Sequence, residues 1–182
     1  MTGSSDRNAP QLSHVDESGA ARMVDVGGKP VTARQAVASG TVITTPEVME
    51  LIASGNLPKG EALPIARVAG IMGAKRTWDL IPLCHPLDLS GIDVMFSLER
   101  DRVRIQAVVK TSGKTGVEME ALTAVSLTAL TIYDMIKAVD KNAVLTDIKV
   151  DAKSGGKSGD WSREADHHLG HSHPSPPQDS DD

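Results

Sequence analysis

Asp134 and Lys137 lie three residues apart in IYDMIKAVDK, a spacing that puts a carboxylate and an ammonium on one side of a helix. As a salt-bridged surface pair they contribute at most about 1 kcal/mol. The apolar company of Ile132, Tyr133, Met135 and Ile136 offers a second reading, in which burial perturbs both pKa values and readies the pair for proton transfer. Glu118 and Glu120 alternate in GVEMEAL, so extended backbone points both carboxylates one way. At a helix start they instead offset the positive end of the dipole. His85 in LCHPL is displayed on backbone that Pro86 holds extended. Cys84 beside it reads as a small buried hydrophobe and not as a nucleophile.

Two tripeptides, Gly113-Lys114-Thr115 and Gly156-Lys157-Ser158, end like a nucleotide-binding P-loop. That loop needs a glycine five residues before its Gly-Lys, so that backbone N–H groups wrap phosphate. Val108 and Asp151 stand there, so neither tripeptide is a P-loop. Lysines beside glycine-rich turns still point to an anion. Together with two carboxylate groups, a displayed histidine and an Asp/Lys pair, they suit a small polyanionic substrate and proton-transfer chemistry.

These residues sit in 182 residues, which is one domain with tails and room for a core. The single cysteine, Cys84, excludes a disulfide framework. The N-terminus MTGSSDRNAP has no apolar signal-peptide core and no apolar run reaches a membrane span, so a soluble, cytoplasmic protein is expected. Residues 160–182 hold six acidic residues against Arg163 alone, and the whole net charge of −5 therefore lies there. The rest is neutral, with local clusters such as GAKRTW. Four aromatic residues in all argue against stacking platforms for nucleic acid.

Thr32 followed by Gln35 reads as a capping box opening a helix that Gly40 ends, and Thr45-Pro46-Glu47 starts another that stops at Gly55. A helix is expected over 62–75, with Ile65, Val68, Ala69 and Met72 on one stripe. The two X-Pro bonds of DLIPLCHPLDLSG call for extended backbone. Ile92, Val94, Phe96 and Leu98, then Val103, Ile105, Ala107 and Val109, alternate as a β-hairpin. The longest helix is expected over 120–140, burying Leu122, Val125, Ala129, Ile132, Ile136 and Val139, and 143–150 as a strand. The sum is α+β, with helices on one face of a mainly antiparallel sheet. Residues 1–10 and the His-containing, acidic 160–182 read as disordered tails.

The blocks LSHVDESGAARMVDVGGK, AGIMGAKRTWDLIPLCHPL, KTGVEMEALTAVSLTALTIYDMIKAVDK and KSGGKSG resemble the MoaC family of molybdenum cofactor biosynthesis across residues 11–159. The resemblance implies a ferredoxin-like fold and a lyase that converts 3′,8-cyclo-7,8-dihydro-GTP to cyclic pyranopterin monophosphate, releasing pyrophosphate. It implies a homohexamer, a trimer of dimers with sites at subunit interfaces, and a radical SAM partner that supplies the cyclised nucleotide. Asp134, Lys137 and Lys59 fall on catalytic positions. Leu83, Cys84, His85, Met119, Glu120 and Glu118 fall on substrate contacts, and Lys153, Lys75 and Arg34 are offered as phosphate partners. No metal or cofactor is implied beyond Mg²⁺ carried by the triphosphate. Tertiary or subunit contacts must bring Lys59 to the pocket, and with sites at a dimer interface one subunit can supply Lys59 and its neighbour Asp134 and Lys137.

Two other classes compete. A nucleotide-sensing module needs the anion loops but not the Asp134/Lys137 pair. A metal-handling protein would use His167, His168, His171 and His173.

Overall fold

The structure, a computed structural model, describes residues 18–157 and 159–163. Strands β1 (Thr32–Ile43), β2 (Leu89–Leu98), β3 (Arg102–Gly113), β4 (Val144–Ser154) and β5 (Trp161–Ser162) form one sheet in the order β2-β3-β1-β4-β5. Every neighbouring pair is antiparallel. Helices α1 (Pro46–Ser54), α2 (Ala62–Lys75), α3 (Thr77–Leu80) and α4 (Glu118–Ile136) complete the chain. With α2 and α4 as the crossovers, β1-α2-β2-β3-α4-β4 is the β-α-β-β-α-β order of ferredoxin-like folds. α2 and α4 pack on each other and on one sheet face. The fold is α+β.

The capping box at Thr32 is not used. Residues 32–43 form the central strand instead, laddered to β3 on one side and β4 on the other. Ala36, Ala38, Gly40 and Val42 alternate into the core, a period of two that ladder bonds on both edges reward over a local cap. Gly40 serves close packing and not helix termination, since a Cβ there would lie 2.6 Å from Val125 Cγ1 of α4. α1 follows the sequence reading closely. Thr45 accepts from Val48 N–H at 3.3 Å, and Gly55 ends the helix at φ 72°.

α2 has the expected bounds but the opposite face inward. Ala62, Ala66, Gly70, Gly73 and Ala74 are buried, while Ile65, Val68 and Met72 stand 47%, 56% and 56% exposed. Small residues win the core because the α2–α4 crossing is tight. A Cβ on Gly70 would lie 2.1 Å from Thr128 Oγ1 and 2.9 Å from the Ala124 carbonyl oxygen.

The hairpin forms as expected, with Val103, Ile105, Ala107 and Val109 of β3 buried, but of the β2 set only Val94 is buried and Leu98 is exposed. α4 begins two residues earlier than expected and ends at Ile136, leaving Lys137 as its C-terminal cap and Val139 exposed. By length and composition this helix could cross a membrane, contrary to the sequence reading. Here it is the core helix, with Ala121, Val125, Ala129 and Ile132 fully buried against the sheet. β4 continues to Ser154 through an irregular stretch at Asp147, where φ is 54°. β5 pairs with β4, so the ladder runs past residue 159. Residues 1–10 and the histidines of 167–173 lie outside the described residues.

Candidate active site

α4 carries a chemical group at each end. At its C-terminal end Asp134 Oδ1 accepts from Lys137 Nζ at 2.8 Å and Oδ2 from Lys59 Nζ at 2.7 Å. Lys59 arrives from the α1–α2 turn, which Gly60 closes at φ 89° with its N–H donating to Leu57. The apolar neighbours do not bury the pair. Lys137 and Asp134 side chains are 50% and 52% exposed, so mutual bonding and not desolvation perturbs them. The hydrogen bonds from Lys137 and then Lys59 hold the Asp134 carboxyl down at about 2. The same bond raises the Lys137 ammonium above its ordinary value. Tyr133 and Lys141 extend this cluster around a shallow pocket of about 420 Å³.

Because Lys59 and Asp134 join within one chain, a tertiary contact and not a subunit contact brings Lys59 to the pair, contrary to supply from different subunits. Lys59, Asp134 and Lys137 are a single preassembled unit.

At the N-terminal end of α4 lies a cleft of about 640 Å³, walled by Leu83, Cys84, His85, Glu118, Met119 and Glu120. The LCH segment is not extended throughout as its prolines suggested. Cys84 N–H donates to the Ile81 carbonyl at 3.0 Å, closing a turn before the chain straightens towards β2. Glu118 and Glu120 are not parallel neighbours on a strand either, since both occupy the first turn of α4. Two residues on a helix diverge, and their fates differ. Glu118 pairs with Lys153 of β4 at 3.1 Å. Glu120 is 4% exposed with no ion pair among the described residues, and burial, then the Glu118 charge, pushes its carboxyl up to about 7. Cys84 is half-buried, its thiol raised by burial and by Glu120.

A second groove of about 610 Å³ adjoins this cleft, sharing Lys29, Thr115 and Gly116 with it. Lys29, Arg34, Lys114 and Lys157 line it. The two Gly-Lys tripeptides that fail as P-loops thus meet in space, Lys114 from the β3–α4 loop and Lys157 from the β4–β5 loop. Sequence reasoning noted both but could not join them, and it missed Lys29 and Lys141. The signal was the Gly-Lys pairing itself. Arg34 and Lys153 are at or beside this groove. Lys75 is exposed at the end of α2 and lines none of these clefts.

Glu118 and Asp134 stand sixteen residues apart on α4, about 24 Å at about 1.5 Å per residue. One chain therefore does not bring the Asp134 cluster and the cleft onto the same reacting atom.

An α+β domain with an apolar cleft, a cationic groove and a pre-formed Lys-Asp-Lys cluster defines an enzyme-like anion-binding protein. A family model described as MoaC family matches residues 23–156. A cyclic pyranopterin monophosphate synthase of Streptomyces avermitilis is 65% identical over 153 residues, 84% of this chain and 90% of the relative. That of Streptomyces coelicolor is 61% identical over 162 residues, 89% of this chain and 95% of the relative. A cyclic pyranopterin monophosphate synthase 2 of Mycobacterium tuberculosis is 57% identical over 162 residues, 89% and 97% of the two chains. The chain belongs to the MoaC family.

Proposed function

We propose that this chain is a lyase of molybdenum cofactor biosynthesis that converts 3′,8-cyclo-7,8-dihydro-GTP to cyclic pyranopterin monophosphate and pyrophosphate. The observation that carries the reading is the contiguity of cleft and groove. An apolar pocket with two carboxylates and a histidine suits the purine-derived portion, and the adjoining groove with four cationic side chains suits a triphosphate. Mg²⁺ bound to that triphosphate would enter with it.

The chemistry needs several proton transfers and a leaving pyrophosphate. Lys137, held protonated by Asp134, is an acid in waiting, and Lys59 is a second ammonium on the same carboxylate. Positioned proton donors and acceptors accelerate each such step by about 10²–10⁴. As pyrophosphate departs, the lysines of the groove stabilise its developing charge.

The distance along α4 supports a site shared between copies, in which the Asp134 cluster of one meets the cleft of another. The outward Ile65, Val68 and Met72 stripe offers a contact surface for assembly, which fits a hexamer built as a trimer of dimers. A radical SAM cyclase in the cytoplasm would supply the substrate. Purified protein incubated with cyclised dihydro-GTP should release pyrophosphate and a pterin. Folded protein that yields neither refutes the reading. A nucleotide sensor, the competing class, would keep its function after Asp134→Asn.

A further inference from the structure

We infer that Arg34 is a positioning residue, whose guanidinium clamps the two Gly-Lys loops into one groove instead of serving as a phosphate ligand in its own right. The inference rests on the reading of that groove as the phosphate end of the site. It departs from the sequence expectation of Arg34 as a phosphate partner.

Arg34 rises from the central strand β1, where it is registered opposite Thr111 of β3. Its Nε donates to the Gly113 carbonyl at 3.0 Å and Nη2 to the Lys114 carbonyl at 3.2 Å. Both acceptors belong to the start of the loop that carries Lys114 and Thr115. The effect passes further, because Lys114 Nζ donates to the Gly27 carbonyl at 2.6 Å and so tethers the segment that presents Lys29.

On its other side the guanidinium lies against the β4–β5 loop. A Cβ on Gly156 would sit 2.1 Å from Nη1 and 2.7 Å from Cζ, and one on Gly155 would sit 2.1 Å from the Ala33 carbonyl oxygen. Gly155 and Gly156 adopt positive φ, 85° and 79° respectively, which L-residues rarely adopt. The loop carrying Lys157 is therefore built to close over Arg34. A planar fork with fixed donors can hold two carbonyls and stack under backbone at once, and a lysine ammonium cannot.

Charge and geometry separate under Arg34→Lys. This variant keeps the positive charge and loses the fork. Gly156→Ala keeps Arg34 and displaces it. Inorganic pyrophosphate binding to the full chain, followed by calorimetry, should weaken by about tenfold or more in both variants. Arg34→Ala should be no worse than Arg34→Lys beyond about threefold by the same scale. Under native conditions trypsin should cut faster after Lys114 and Lys157 in both variants, because the loops open locally, while the thermal midpoint stays close to the parent's. Affinity retained in Arg34→Lys, or cleavage unchanged in both variants, overturns the clamp. If the parent protein itself binds no pyrophosphate, the groove's assignment fails, and the trypsin result alone decides the clamp. Gly156→Ala changes a half-buried loop position outside the hydrophobic core, so it decides the matter should Arg34→Lys fail to fold.

Discussion

Asp134 accepts from two ammonium groups at once, which fixes what its removal does. Asp134→Asn leaves Lys59 and Lys137 side by side without their carboxylate, so the Lys137 ammonium, now raised by that partner, falls in pKa. The expected result is an alkaline limb of the pH–rate profile shifted to lower pH, along with lost turnover. An unshifted limb would mean that Lys137 does not report through Asp134. Lys137→Ala should lose about 10²-fold or more in turnover. Its side chain is half exposed, so the thermal midpoint should hold, and a collapse of the fold would make the residue structural.

Glu120 behaves differently because burial dominates. Its folded-state value of about 7 lies above the ordinary 4.5, so the folded protein holds the proton more tightly than the unfolded chain. Stability is then greatest below about pH 4.5, declines as pH rises towards about 7, and levels off above it. Glu120→Gln removes that decline. Urea midpoints should show the variant gaining on the parent protein at pH 8 relative to pH 5, and an equal gap at both pH values would contradict the assignment.

At the scale of elements, the α2–α4 crossing is the most sensitive place. Gly70→Ala gains about 1 kcal/mol in helix propensity. The new methyl group meets the Ala124 backbone oxygen and the Thr128 hydroxyl, and such overpacking costs about 1–3 kcal/mol. The backbone contact cannot rotate away, so a lowered thermal midpoint is expected, and an unchanged or raised one would show that the helices separate freely. The bounds of α1, α2 and the hairpin were legible because caps, Pro and period-two alternation are local signals. β1 was not, because its evidence lies in β3 and β4, far along the chain. The inward face of α2 was misread for a related reason. Hydrophobicity marks a stripe that wants covering, but it does not say whether this chain or another covers it. At the site, LCH, the glutamates and the Asp134 pair were all visible as motifs. Their partition between two ends of one helix, and the joining of Lys59 to Asp134, required the fold.

For the whole molecule, the exposed stripe on α2 makes a simple claim about assembly. Val68→Lys places a charge on a surface that the folded single chain does not need, so light scattering should show a smaller particle with an intact circular dichroism spectrum. An unchanged mass would contradict assembly through this stripe. The central claim is that cleft and Lys-Asp-Lys cluster act on one substrate from different copies. His85→Ala damages only the cleft and Lys137→Ala only the cluster. A symmetric mixed interface would hold one intact site and one doubly damaged site. Mixing the two inactive proteins, with subunit exchange verified, and measuring pyrophosphate and pterin from cyclised dihydro-GTP should therefore recover up to about half of normal activity per mixed interface. Lys59→Ala mixed with Lys137→Ala should recover none, since both lesions fall in the same cluster. Recovery in the second mixture, or silence in both with exchange complete, would contradict the account.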